Sequence, residues 1–285
     1  MIEIKELSYT YAGRHEATLH GLDFAIEEGE IFGFLGPSGS GKSTTQKILI
    51  GLLKGYKGQA RFLEREISGW GEALYEEIGV AFEVPRLFQK LTARENLRYF
   101  GALYRGPCVD GDALLARFGL SEDADTLVSQ FSKGMRSRLN VARALLHKPR
   151  LLFLDEPTSG LDPSNVQGMK ECLREQQQAG TTVFLTTHDM HVAEEVCDRV
   201  AFLVDGRIRL IDKPRELKLR HGQKAIRLEY AEQDQLQHAE FPMTGLAENT
   251  EFQRLLRHPG LQTIHTQETS LDRIFMEVTG HTLHA

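Results

Sequence analysis

The octapeptide Gly36-Pro37-Ser38-Gly39-Ser40-Gly41-Lys42-Ser43 constrains this chain more than any other segment. It fits the spacing GxxxxGK[ST], follows the apolar run Ile31-Phe32-Gly33-Phe34-Leu35, and opens a helical pattern over 42–53. A strand, a glycine-rich turn and a helix in that order build a cradle for phosphate. Glycines let successive backbone N–H groups turn inward around the oxygens, and the helix N-terminus adds its positive end. The octapeptide and the adjoining Thr44 are therefore expected to hold a nucleotide's phosphates. Lys42 should reach the β- and γ-phosphates, and the Ser43 hydroxyl should ligate Mg²⁺.

Further apolar runs at 151–154 and 182–185 are continuous rather than alternating, as in strands of a parallel sheet covered on both faces. Helical patterns lie between them, at 137–147 with Pro149 as the stop, and at 163–178 with Pro163 in the first turn. Asp205-Gly206, between runs at 200–204 and 207–211, is a two-residue hairpin signal. The expected class is α/β, a phosphate-loop NTPase core with a mostly parallel sheet and some N-terminal antiparallel strands. The run 151–154 delivers Asp155 and Glu156 to the carboxyl edge of that sheet, where ligands of open α/β sheets bind. There Asp155 is placed to hold Mg²⁺ through water, and Glu156 to polarise an attacking water as general base. Lys42 and Asp155 lie 113 positions apart, more than one crossover helix needs. Residues 92–147 read as largely helical, with Thr92-Ala93-Arg94-Glu95 a capping box ahead of a helix over 96–105, so a helical subdomain is expected at about 85–148. No Asn-Lys-x-Asp motif is present, which removes a guanine-reading GTPase.

Four further segments complete a pattern. They are Phe131-Ser132-Lys133-Gly134-Met135, Ser159-Gly160-Leu161-Asp162, Thr186-Thr187-His188-Asp189, and Tyr11 ahead of the phosphate loop. In this order and spacing, residues 1–213 resemble the ATP-binding subunit of ABC transporters. The resemblance implies that Tyr11 stacks on adenine, with Tyr9 on the same strand face as the substitute. It implies that Ser132 and Gly134 close over the γ-phosphate of ATP held by a second copy, with Asp162 in the adjoining loop. It implies that His188 contacts the γ-phosphate and orients the water. Glu83 stands where the family usually carries glutamine; its carboxylate can still offer oxygen to Mg²⁺. Lys133 replaces the first glycine of the signature, and Met135 its glutamine. The closing stretch 268–280, with Leu271, Phe275 and Val278 at helical spacing, resembles that of daunorubicin-type and multidrug-export ATPases.

Composition turns near Lys213-Pro214. The first 213 residues carry 22 of the 26 glycines, while the remainder carries six of the 11 histidines (221, 238, 258, 265, 281 and 284) and the Gln-rich stretch Gln233, Gln235, Gln237. A main domain of 1–213 and a small α+β appendage of 214–285 follow, with those histidines on a solvated surface rather than around a metal. A net charge of −6 gives no electrostatic reason to bind nucleic acid or an anionic membrane surface. No apolar run approaches 18 residues, so a membrane role requires a separate transmembrane permease, with this chain on the cytoplasmic face. Cys108, Cys172 and Cys197 lack metal spacing and are expected to be free thiols. The reading is an exporter's ATPase subunit, cofactors ATP and Mg²⁺, acting as a pair; the alternatives are a non-transport ABC ATPase and a regulatory nucleotide-binding module.

Overall fold

A bulge sets the start of the chain apart from simple alternation. β1 (Ile2–Tyr9) buries Ile2 and Ile4, then slips in register at Glu6, whose φ of 49° lies in the left-handed region. In this computed structural model, which describes residues 1–221, 225–232, 235–267 and 269–281, β1 pairs antiparallel with β2 (Leu19–Ile26). Gln233, His284 and the first residue of the closing stretch, Glu268, lie outside the described residues. The wholly buried β3 (Ile31–Leu35) leads through residues 36–41 into α1 (Lys42–Leu49). β4 (Lys57–Phe62) and β5 (Arg65–Glu66) then return to the first strands, giving an antiparallel sheet in the order β2-β1-β4-β5.

α2 (Leu74–Glu77) precedes β6 (Ile78–Ala81), and the helical insertion follows with α3 (Ala93–Gly101), α4 (Gly111–Arg117) and α5 (Lys133–Ala144). β7 (Leu151–Asp155), α6 (Pro163–Gln178), β8 (Thr182–Thr187), α7 (Met190–Val196), β9 (Arg199–Val204) and β10 (Arg207–Asp212) complete the unit. The second sheet runs β10-β9-β3-β8-β7-β6, parallel throughout except for β10 at its edge. β3, which bears the phosphate loop, therefore pairs with β8 and β9, neither its neighbour in sequence. Phe32, Phe34, Phe153 and Phe184 knit these strands, with ring centroids 5.4–6.5 Å apart. At about 1.5–3 kcal/mol per buried aromatic or aliphatic side chain, this layer fixes the sheet edge that carries the site.

Several helix boundaries differ from expectation, each for a local reason. α1 stops at Leu49, short of residue 53, because Gly51 turns left-handed (φ 75°). α3 begins directly after its cap rather than at residue 96: Thr92 accepts the Glu95 N–H at 3.2 Å, and the Glu95 carboxylate accepts the Thr92 N–H at 2.8 Å. α5 starts at Lys133, not 137, because Ser132 caps it by accepting the Met135 N–H at 3.1 Å. In the hairpin turn, Asp205 (φ 49°) and Gly206 (φ 66°) are both left-handed, as a type I′ turn requires. A Cβ on Gly206 would stand 2.1 Å from the Thr18 carbonyl oxygen, and its N–H donates to the Ser40 carbonyl at 3.0 Å. This late turn thus braces the phosphate loop from behind.

Residues 1–213 form one compact unit and 214–281 another. The second contains α8 (Pro214–His221), β11 (Ala225–Glu232), β12 (Gln235–Pro242), α9 (Thr250–Leu256), β13 (Leu261–Gln267) and α10 (Leu271–Thr279). Its antiparallel sheet, ordered β12-β11-β13, shares with α9 a small core of Leu228, Phe241, Phe252 and Leu255. α10 buries Leu271, Ile274 and Phe275, so Ile274 takes the inward place expected of Val278, which is half-buried.

Candidate functional site

The phosphate loop is shaped by two close approaches. A Cβ at Gly36 would lie 2.1 Å from the Leu203 carbonyl oxygen, and Gly41 sits at φ 110° against Leu19 and Leu203. At Gly36 any side chain would push against a strand's backbone, and at Gly41 the left-handed backbone itself favours glycine. Within the loop, the Lys42 ammonium donates to the carbonyls of Gly36 at 2.5 Å and Pro37 at 3.0 Å. Burial pushes Lys42 below the usual lysine range, while the carboxylates of Glu156, Asp155 and Glu83 oppose that shift. Ser40 is buried beneath the loop.

Ser38, Gly39, Gly41, Lys42, Ser43 and Thr44 line a cleft of about 350 Å³, and across it stand Glu83, Asp155, Glu156 and His188. Three separate strands deliver that opposite wall. Glu83 follows β6, Asp155 ends β7 with Glu156 directly after it, and His188 follows β8. Glu156 takes a left-handed backbone (φ 50°), which costs a residue with a side chain about 1–2 kcal/mol. The turn is held by its N–H donating to the Thr186 carbonyl at 2.9 Å. Its carboxylate meets His188 Nδ1 at 2.9 Å and accepts from the Thr187 hydroxyl at 3.1 Å. Burial raises its pKa above the usual glutamate value of 4.5, and the His188 and Thr187 contacts and the Lys42 charge offset part of that rise. Asp155 accepts from the Thr186 hydroxyl.

The expected metal residues fit a hard cation by donor chemistry: one hydroxyl and two carboxylates, all oxygen, open to one cleft. Among the described residues no group of three or more His, Cys, Asp or Glu is arranged to hold a metal alone. Mg²⁺ is commonly held through one or two carboxylates together with substrate phosphates and water.

Tyr11 is not on β1, which ends at Tyr9; it lies in the loop beyond, so the two tyrosines do not share a strand face. Their rings meet edge to face at 5.0 Å, and the Tyr11 hydroxyl shares a hydrogen bond with Thr44 Oγ1 at 3.2 Å. Ser132, Gly134 and Asp162 do not line the cleft of their own chain. Ser132 caps α5, Asp162 caps α6 by accepting the Asn165 N–H at 3.1 Å, and Gly134 packs near Leu161. Sequence reasoning gave no role to Asn140 and Arg143, which donate from α5 to the Phe82 carbonyl at 2.8 Å and the Val80 carbonyl at 2.7 Å beside Glu83. Nor did it give one to Thr186 and Thr187; a hydroxyl facing a carboxylate on the next strand is a matter of register, which linear order hides.

The chain as a whole is similar to known proteins. Residues 19–159 match a family model described as ABC transporter, and residues 224–268 match one described as the fluoroquinolone efflux ABC transporter C-terminal domain. A fluoroquinolones export ATP-binding protein of Mycobacterium tuberculosis is 51% identical over 284 residues, covering 99% of this chain and 94% of the relative. A daunorubicin/doxorubicin resistance ATP-binding protein of Streptomyces peucetius is 32% identical, covering 98% of this chain and 92% of its own length. A dimeric ATP-binding cassette solved in a post-hydrolysis state with ADP and Pi superimposes with a TM-score of 0.69 at 29% identity, covering 75% of this chain and 99% of that one. The chain belongs to the ABC transporter family, as one of its ATP-binding, ATP-hydrolysing subunits.

Proposed function

We propose that this subunit powers export of amphipathic, antibiotic-like molecules through a separate membrane-spanning permease, as a pair of copies on the cytoplasmic face. The efflux relatives support the cargo class. Among the described residues no helix is long and apolar enough to cross a membrane. The surface we assign to that permease is a groove of about 900 Å³ lined by Phe82, Phe100, Leu103, Tyr104 and Arg143, with Leu103 and nearby Leu52 exposed. Exposed apolar area of this kind favours a partner that covers it.

In the catalytic cycle Tyr11 stacks on the adenine, a contact worth about 1–3 kcal/mol. Residues 36–44 hold the phosphates by backbone N–H groups, and Lys42 lends them a fixed positive charge. Ser43, Asp155 and Glu83 would hold Mg²⁺, which would neutralise charge on the phosphate oxygens. Glu156 takes the proton of the attacking water as its oxygen bonds the γ-phosphorus and the bond to ADP breaks. His188 steadies the γ-phosphate, and Ser132, Gly134 and the Asp162 loop of the partner subunit close over it. One observation carries this reading: Glu156, its carboxyl raised by burial, lines the same cleft as Lys42 and Ser43.

Glu156→Gln tests it. The amide keeps the shape but cannot take the proton, so steady-state ATP hydrolysis should fall about 10²-fold or more. ATP affinity should persist, and an ATP-bound dimer should accumulate in size-exclusion chromatography. Turnover at the wild-type rate would remove Glu156 from the base role.

A further inference from the structure

β8 ends in two threonines, and each gives its hydroxyl proton to one of the two carboxylates at the end of β7. Thr186 stands opposite Asp155 in the parallel register and donates to its carboxylate. Thr187, one residue on, donates to Glu156 Oε2 at 3.1 Å and accepts the Asp189 N–H at 3.0 Å. Both threonines are 0% exposed, so water does not compete for either hydroxyl. A hydroxyl has one proton and two lone pairs. With the Asp189 N–H on a lone pair, the single proton of Thr187 is committed to Glu156.

Glu156 needs such a hold. Its left-handed backbone turns it out of the strand, beyond the ladder that would otherwise orient it. Thr186 pins the backbone through its carbonyl, Thr187 grips one carboxylate oxygen, and His188 Nδ1 lies 2.9 Å from the other. Two contacts on two oxygens fix the plane of the carboxylate, which lines the cleft. Thr187 does not itself line that cleft.

We infer that Thr187 is a positioning residue for hydrolysis: its hydroxyl sets the plane in which Glu156 meets the attacking water. The inference rests on Glu156 being the general base. A general base works only within a narrow range of distance and angle, so the loss of this grip should slow the chemical step and leave nucleotide binding alone.

The test uses the full chain with Thr187→Val, which removes the hydroxyl at nearly constant shape, and Thr187→Ser, which keeps it. Steady-state Mg·ATP hydrolysis gives kcat and KM, a fluorescent ATP analogue gives affinity, and thermal melting reports the fold. The valine variant should lose about 10- to 100-fold in kcat, with KM and analogue affinity within about twofold of wild type, and serine should restore kcat to within about threefold. Thr187→Ala set against Thr187→Ser isolates the hydroxyl even where valine disturbs packing, since both lack the γ-methyl group. Equal kcat in that pair, or a valine variant at the wild-type rate, overturns the inference. A Glu156→Gln variant at full rate would instead sink the base assignment beneath it. An inactive Glu156→Gln beside a fully active Thr187→Val sinks the positioning role alone.

Discussion

Glu156 shows what a residue can be asked to tolerate. It carries a left-handed backbone and a carboxyl that burial pushes toward neutrality, both unfavourable for a glutamate. A carboxyl whose folded pKa is raised lends stability below the unfolded value, and loses it as pH rises through the folded value. At neutral pH the carboxylate is therefore a cost to the fold, and Glu156→Gln removes that cost. The glutamine variant should melt a few degrees above wild type at pH 7, and the two should converge below about pH 4, where both side chains are neutral. Differential scanning calorimetry across that range checks it; a variant less stable at pH 7 would show that the contacts with His188 and Thr187 outweigh desolvation. The identity of Glu156 was legible from a buried run ending in two acids. Its backbone turn and its two partners were not, because they depend on β8 lying beside β7, a pairing that no local pattern encodes.

At the scale of elements, caps were more informative than periodicity. The box at Thr92 marks the start of α3, yet helical patterning alone put the start at 96, because Ala93, Arg94 and Glu95 contribute little to an apolar stripe. In α5 the poor helix former Gly134 masks the first turn, which Ser132 nonetheless caps. β1 escaped a period-two reading because the bulge at Glu6 shifts its buried face by a residue. β3, β7 and β8 were legible as continuous apolar runs for the opposite reason: strands buried on both faces need no phase. Thr92→Ala should cost about 1 kcal/mol, lowering Tm by about 2–4 °C for a unit this size, with ATP turnover unchanged. Ser132→Ala removes an equivalent cap and should cost a similar amount, but it should also lower turnover, because the same hydroxyl is assigned to the partner's ATP. Paired melting curves and hydrolysis rates separate the two; equal turnover in both variants would confine Ser132 to capping.

For the whole molecule, the separation of Ser132 and Gly134 from the cleft of their own chain makes a composite site testable. Neither a Lys42→Ala chain nor a Ser132→Ala chain should hydrolyse ATP well alone. A mixed pair holds one site built from the intact Lys42 of one chain and the intact Ser132 of the other. Mixing the two inactive proteins should therefore recover hydrolysis, up to about half of the wild-type rate at a wholly mixed pairing. A mixture as inactive as its components would point to sites complete within single chains. The strand order has a last consequence, in time rather than space. β3 and its phosphate loop are made early, but the strands on either side of β3, β8 and β9, come about 150 residues later, and the turn at Gly206 that braces the loop comes later still. On the ribosome, at roughly 5–20 residues per second, the loop must wait on the order of ten seconds as an unpaired apolar strand. Nucleotide can guide only the end of folding, and that exposed interval is when this chain is most open to chaperones or to aggregation.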